Sequence, residues 1–138
     1  MADYLFVYGT LRKEVGHPMH RVLIRHAILV DKGVYQGELY DLGDFPAAIH
    51  SARLEDRVHG EIYQLKGKDQ IFEILDRYEG CVGTAPYFRR ERKEVRSGGG
   101  KVVCVWLYLY NRPVERYPRI PGGDYLTLLR GSARQAPS

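Results

Sequence analysis

The sequence predicts an α+β domain in which antiparallel strands outnumber helices. Three observations carry that expectation. Short runs rich in β-branched and aromatic residues recur along the chain. A single segment, over residues 69–79, has clear helical periodicity. Two late strands flank Ser97-Gly98-Gly99-Gly100, the arrangement of a hairpin with a flexible tip. The strands either close into a small barrel or form a strongly curved sheet. The 138 residues suit one domain, expected over 1–131, with a small polar tail over 132–138 that frays.

Residues 4–8 read as the first strand. Residues 18–27 hold a short helix with Pro18 in its first turn and Val22, Leu23 and Ala27 on one face. Residues 28–42 alternate imperfectly around Gly33 and Gly37, as strands broken by a bend or bulge do. Val58 to Leu65 form another strand. The helix after it has Asp69 as its expected N-cap and Ile71, Phe72, Leu75 and Tyr78 at helical spacing. Gly80 supplies a left-handed stop. Residues 87–96 and 101–110 are strands, the second almost continuously apolar and expected to be central. Pro113, Pro118 and Pro121 punctuate the next segment, and Tyr125 to Leu129 form a last helical turn.

Composition removes several classes of function. No run approaches the ~20 apolar residues that span a bilayer. A strand begins almost at once, so no secretory leader is expected. With only Cys81 and Cys104, the expectation is a cytoplasmic protein with free thiols. Net charge is +4, and much of it sits in Arg89-Arg90-Glu91-Arg92-Lys93-Glu94-Val95-Arg96. Glutamates interrupt that run, so it reads as a solvated strand edge and not as a nucleic-acid surface.

Two places carry chemistry. In Tyr8-Gly9-Thr10-Leu11 a strand runs into a glycine turn whose successive N–H groups form a nest for a carboxylate or an oxyanion. It is no P-loop, because the Gly-Lys-Ser/Thr that a P-loop needs is missing. Glu79 ends the helix at the negative end of its dipole, which raises a carboxyl pKa and suits a general base that later returns the proton. Together they suit amide chemistry on a small acidic substrate. Asp76 reads as a surface or capping residue. His17 and His20 are three apart but lack further ligands, so no metal site is expected. Cys81 lines the site at most, since no activating base accompanies it. Tyr87 and Tyr125 sit beside turns where they line a pocket, whereas Tyr108 and Tyr110 pack in or beside the core.

The order of Tyr8-Gly9-Thr10-Leu11-Arg12, Phe45-Pro46-Ala47-Ala48, Val58-His59-Gly60-Glu61-Ile62-Tyr63, Leu75-Asp76-Arg77-Tyr78-Glu79-Gly80, Tyr87-Phe88-Arg89, Val105-Trp106-Leu107-Tyr108 and Ile120-Pro121-Gly122-Gly123-Asp124-Tyr125 resembles the γ-glutamyl cyclotransferase-like superfamily. That superfamily includes the γ-glutamylamine cyclotransferases and the AIG2-like proteins. The resemblance implies a small mixed β-barrel flanked by a few helices. It implies a cofactor-free reaction that releases 5-oxoproline from a γ-glutamylamine-type small molecule. Tyr8, Gly9, Thr10 and Leu11 match the family's substrate-binding loop, Glu79 its acid/base, and Tyr87 a position near the pocket. The segment 80–86 is longer than in compact relatives, which bears on the leaving group. A monomer or weak homodimer is expected, with neither nucleic acid nor membrane as partner. The competing reading is a non-catalytic protein that keeps the pocket and binds a small carboxylate.

Overall fold

Alternation along the first strand organises the molecule. In the computed structural model, which describes residues 2–80 and 86–134 (the side chains of 131–134 excepted), β1 (Asp3–Val7) places Leu5 and Val7 in one core and Phe6 and Tyr8 in another. A period of two sends successive side chains to opposite faces. The first core takes Leu23, Ile71, Phe72 and Leu75 from the helices α1 (Pro18–His26) and α2 (Lys68–Tyr78). The second holds Ile62, Val95, Val105, Leu107 and Tyr125.

The strands β2 (Ala27–Tyr35), β5 (Val58–Leu65), β6 (Phe88–Ser97) and β7 (Val102–Tyr110) join β1 in a closed barrel of order β1-β5-β2-β6-β7. Every pairing is antiparallel except the closure, where Leu5 of β1 meets Trp106 of β7 in parallel. The barrel is therefore small and mixed, and with the helices it makes the domain α+β. Between β2 and β5 the chain forms β3 (Gly37–Asp41) and β4 (Pro46–His50), a separate two-stranded sheet. The last helix, α3, spans Tyr125–Arg134. No helix among the described residues is long and apolar enough to cross a membrane.

Several expectations need correction. The strand β4 was not anticipated. The irregularity in β2 falls between Leu29 and Asp31, where the register with β5 shifts, and not at a glycine. Gly67, not Asp69, is the N-cap of α2, and Asp69 lies in its first turn, where a carboxylate complements the helix dipole. The last helix continues to Arg134, past the expected start of the tail at Ser132; residues 135–138 lie outside the described residues. The basic strand β6 pairs with β7 along its length but with β2 only at Arg96 and Ser97. Arg89, Arg92 and Arg96 are exposed, as a solvated edge requires.

Arg90 departs from that pattern, and so does Asp76. The Arg90 guanidinium donates through one nitrogen to both Asp76 carboxylate oxygens, at 2.8 and 2.7 Å. Its central carbon lies 4.0 Å from the Phe72 ring centre and 5.4 Å from that of Trp106. The Tyr108 hydroxyl donates to Asp76 Oδ1 at 2.6 Å. Asp76 is thus neither a free surface residue nor a cap; it fastens α2 to the barrel wall formed by β6 and β7.

Removing one partner strands the others in a partly desolvated place. Asp76→Ala is expected to cost about 2–3 kcal/mol in urea unfolding. Arg77→Ala, one residue on but with its side chain 77% exposed, should change stability by less than about 0.5 kcal/mol. Equal losses from the two substitutions would show that the clamp contributes nothing.

Candidate active site

Where β1 ends, the chain turns sharply and the N–H of Arg12 donates to the Gly9 carbonyl at 3.0 Å. Gly9 is not among the glycines with positive φ, so left-handed freedom is not its role. Its role is clearance. A Cβ there would lie 2.7 Å from Pro46 Cγ, inside any tolerable contact. The missing side chain lets β4 close against the turn. Leu11 sends its side chain into the first core, so the residue serves the turn through its backbone. Among the described residues no acceptor takes the N–H groups of Gly9, Thr10 or Leu11. Consecutive free amides are rare in folded chains and suit an anionic ligand.

Tyr8 contributes differently from expectation. Its hydroxyl donates to the Tyr108 carbonyl and accepts the N–H of Ala48. Both its hydrogen-bonding functions are used inside the protein, so the side chain braces the turn against β4 and β7. Burial pushes its pKa well up, with the Glu79 charge adding to the rise. Thr10 is held from the other side, with Oγ1 2.6 Å from the Tyr78 hydroxyl. Arg12 anchors the exit of the turn. Its buried guanidinium donates to Asp124 Oδ1 at 2.9 Å and to the His59 carbonyl at 3.3 Å, and its Nε lies 3.6 Å from Glu61 Oε2. Glu61 in turn accepts the Lys13 N–H and the Tyr63 hydroxyl, each at 3.0 Å.

Glu79 caps the C-terminus of α2, its N–H donating to the Leu75 carbonyl at 2.8 Å. Gly80 comes next with φ +69°, the left-handed stop that the sequence predicts. Asp76, clamped to the barrel, stands one turn earlier on the same helix. This fixes Glu79 beside the turn of residues 8–11. Burial raises its pKa from the usual carboxyl range to about 7, and the negative end of the helix dipole acts in the same direction. Val7, Tyr8, Gly9, Thr10, Leu11, Phe45, Pro46, Glu79 and Tyr108 line one cavity of about 30 Å³. That is close to one water's share of the liquid.

The structure therefore brings Tyr8, Gly9, Thr10, Leu11 and Glu79 together and leaves Tyr87 outside. Tyr87 lies beside Gly80, its N–H donating to the Gly80 carbonyl, but the residue is 55% exposed and its ring centre lies 4.1 Å from the Arg112 guanidinium carbon. Tyr125 is buried in the second core. His17 caps α1 through Nδ1, and His20 contacts the Tyr63 hydroxyl at 3.0 Å. Among the described residues no three His, Cys, Asp or Glu side chains converge as a metal site would require. Cys81 and most of the long segment after Gly80, residues 81–85, lie outside the described residues. Sequence reasoning assigned no site role to Phe45, Pro46, Tyr78 or Tyr108. Phe45-Pro46 was visible as a motif, but its place against Gly9 depends on tertiary contact.

Comparison with known proteins bears on the family and the fold. The family model described as "Gamma-glutamyl cyclotransferase, AIG2-like" matches residues 5–127. The gamma-glutamylcyclotransferase family protein YtfP of Escherichia coli K12 is 29% identical over 122 residues, spanning 88% of this chain and 95% of that protein. The crystal structure of an AIG2-like protein from Mus musculus superposes with a TM-score of 0.69 at 25% identity, over 90% of this chain and 88% of that one. YkqA of Bacillus subtilis shares the fold with a TM-score of 0.75 at 22% identity; the match takes in 99% of this chain but 44% of YkqA. With a model match over most of its length and a barrel of the same fold, the chain belongs to the gamma-glutamyl cyclotransferase, AIG2-like family.

Proposed function

We propose that this protein is a cofactor-free γ-glutamyl cyclotransferase that releases 5-oxoproline from a γ-glutamylamine-type substrate. Glu79 is its general acid/base, and the Tyr8–Leu11 turn binds the substrate. The observation that carries this reading is one cavity shared by a carboxyl that burial pushes up to about 7 and three consecutive amides without acceptors among the described residues. A γ-glutamyl amide brings its own nucleophile, the α-amino group, which is mostly protonated at neutral pH. Ionised Glu79 takes that proton. The freed nitrogen attacks the γ-carbonyl carbon and closes a five-membered ring. The bond from the γ-carbon to the leaving nitrogen then breaks as Glu79 returns its proton to that nitrogen; the ring nitrogen passes its second proton to the regenerated Glu79 carboxylate, which releases it to the departing amine as that becomes an ammonium. The amides of residues 9–11 hold the substrate's carboxylate or the oxyanion on the γ-oxygen. Holding the folded-back conformer accounts for much of the rate, since oriented intramolecular reactions gain on the order of 7–11 kcal/mol.

Purified protein incubated with γ-glutamyl-ε-lysine, γ-glutamyl amino acids and glutathione is expected to release 5-oxoproline from at least one of them. Glu79→Gln should lower kcat by about 10²–10⁴-fold with the fold unchanged. No release from any compound, with a binding isotherm still measurable, would replace the enzyme by a small-carboxylate-binding protein.

The pH dependence has a definite sign. The base must be ionised, so kcat/KM should fall close to tenfold per unit as pH drops below about 7. Stability runs the other way. The folded protein holds the Glu79 proton more tightly than the unfolded chain does. The associated stability is present at pH 4 and is lost as pH rises through about 7. Glu79→Gln removes that loss. Its unfolding free energy relative to wild type should therefore rise from pH 5 to pH 8 by on the order of 1–3 kcal/mol, allowing for partial exposure. A flat difference across that range would place the Glu79 pKa near its ordinary value.

A further inference from the structure

His17, Tyr78 and Thr10 form a chain of contacts, and the direction of its first link can be deduced. His17 Nδ1 accepts the N–H of Met19 at 3.0 Å. A backbone amide only donates, so Nδ1 carries no proton, and a neutral imidazole must hold its proton on Nε2. Nε2 lies 3.4 Å from the Tyr78 hydroxyl oxygen. The N–H therefore faces that oxygen, as a long and weak donor, and Tyr78 cannot donate back to it. Thr10 Oγ1 lies 2.6 Å from the Tyr78 hydroxyl, and either oxygen can donate; with Tyr78 as donor, Thr10 Oγ1 is the acceptor and its own proton is free to be donated elsewhere. Thr10 lines the cavity that holds Glu79, and no described protein acceptor takes that proton.

We propose that His17 and Tyr78 are positioning residues that set the Thr10 hydroxyl as a hydrogen-bond donor into the cavity, toward an acceptor oxygen of the bound γ-glutamyl group. The identity of the ligand rests on the cyclotransferase reading; the direction of the chain does not. The consequence is a cavity with two unlike walls. The turn side presents donors, the amides of residues 9–11 and the Thr10 hydroxyl. Ionised Glu79 offers acceptors only. A substrate bearing both an ammonium and a carboxylate fits such a cavity with its carboxylate oxygens at the turn and its nitrogen at Glu79.

Two measurements test this, one independent of activity. In protein carrying ¹⁵N-labelled histidine at pH 8, long-range ¹⁵N–¹H correlation spectra should show His17 as the Nε2–H tautomer; an Nδ1–H tautomer overturns the chain. The second is a double-substitution cycle on the compound of the panel that turns over fastest. Thr10→Val should lower kcat/KM by about ten- to a hundredfold, and Thr10→Ser, which keeps the hydroxyl, should recover most of that. Tyr78→Phe should cost about three- to tenfold alone and nothing further in the Thr10→Val background. His17→Asn, which can still cap α1 but lacks the ring N–H, should lose activity in the same direction by less. Independent, multiplying losses from Tyr78→Phe and Thr10→Val overturn the proposal, because a merely structural tyrosine would act whatever stands at residue 10. If the folded wild type releases no 5-oxoproline, the cyclotransferase reading fails and Thr10 loses its ligand, while the tautomer result still decides the chain.

Discussion

The fastening of α2 to the barrel through Asp76 is the constraint on which the site depends. Asp76 collects Arg90 from β6 and Tyr108 from β7, and Arg90 is pressed against the Phe72 ring of the same helix. The helix therefore cannot slide or roll without breaking charged and apolar contacts together. Glu79 stands one turn further on, so its position is inherited from this clamp. Tyr108 connects the two ends of the arrangement. Its hydroxyl holds Asp76, its carbonyl receives the Tyr8 hydroxyl, and the residue lines the cavity beside Glu79. Helix and turn are thus referenced to one residue of the barrel.

The turn of residues 8–12 is braced at each step. Tyr8 is tied to β4 and β7, Gly9 touches Pro46, Thr10 meets Tyr78, Leu11 is buried, and Arg12 is held by Asp124 and the barrel carbonyl of His59. Among the described residues these contacts leave the backbone amides of Gly9, Thr10 and Leu11 without acceptors. An unpaired amide costs free energy in a desolvated place, as does a carboxyl pushed up to about 7 by burial. The two costs are complementary, since a ligand with a carboxylate and an ammonium relieves both. Rigid bracing keeps the turn from relaxing to satisfy its own amides.

How much of this was legible depends on the range of the interactions. The helix α2 and its stop at Gly80 announce themselves through local spacing and a left-handed glycine, and the β6–β7 hairpin through its glycine-rich tip. The strand β4 did not, because Pro46-Ala47-Ala48 has little intrinsic preference for a strand; it is extended because β3 pairs with it, Leu39 opposite Ala48. Barrel closure rests on a pairing between residues as distant in sequence as Leu5 and Trp106, and no local pattern encodes it. Asp76 looked like any helix-surface acid, since its partners lie on two strands beyond the helix. Glu79 was legible only as an acid at a helix end, and its raised pKa needed the surrounding burial. The clearance that Gly9 provides was not legible, because it depends on a neighbour 37 positions away in sequence (Pro46 minus Gly9).

Local rules fail in this chain mainly where the fold concentrates its chemistry. An acid at the negative end of a helix, a tyrosine hydroxyl turned inward and amides without acceptors among the described residues are each unfavoured by local preference. Scattered singly, they would be small defects. Here they converge on one cavity, and each is held by contacts that reach other elements. A buried salt bridge is often weak support for stability, because the desolvation of its charges offsets their attraction. The networks of Asp76 and Arg12 are better understood through what they fix in place. The first sets where a carboxyl can exchange a proton. The second sets the end of a donor-rich turn. Apolar packing in the same places could hold the elements together, but it would not supply the directional contacts that set one against the other.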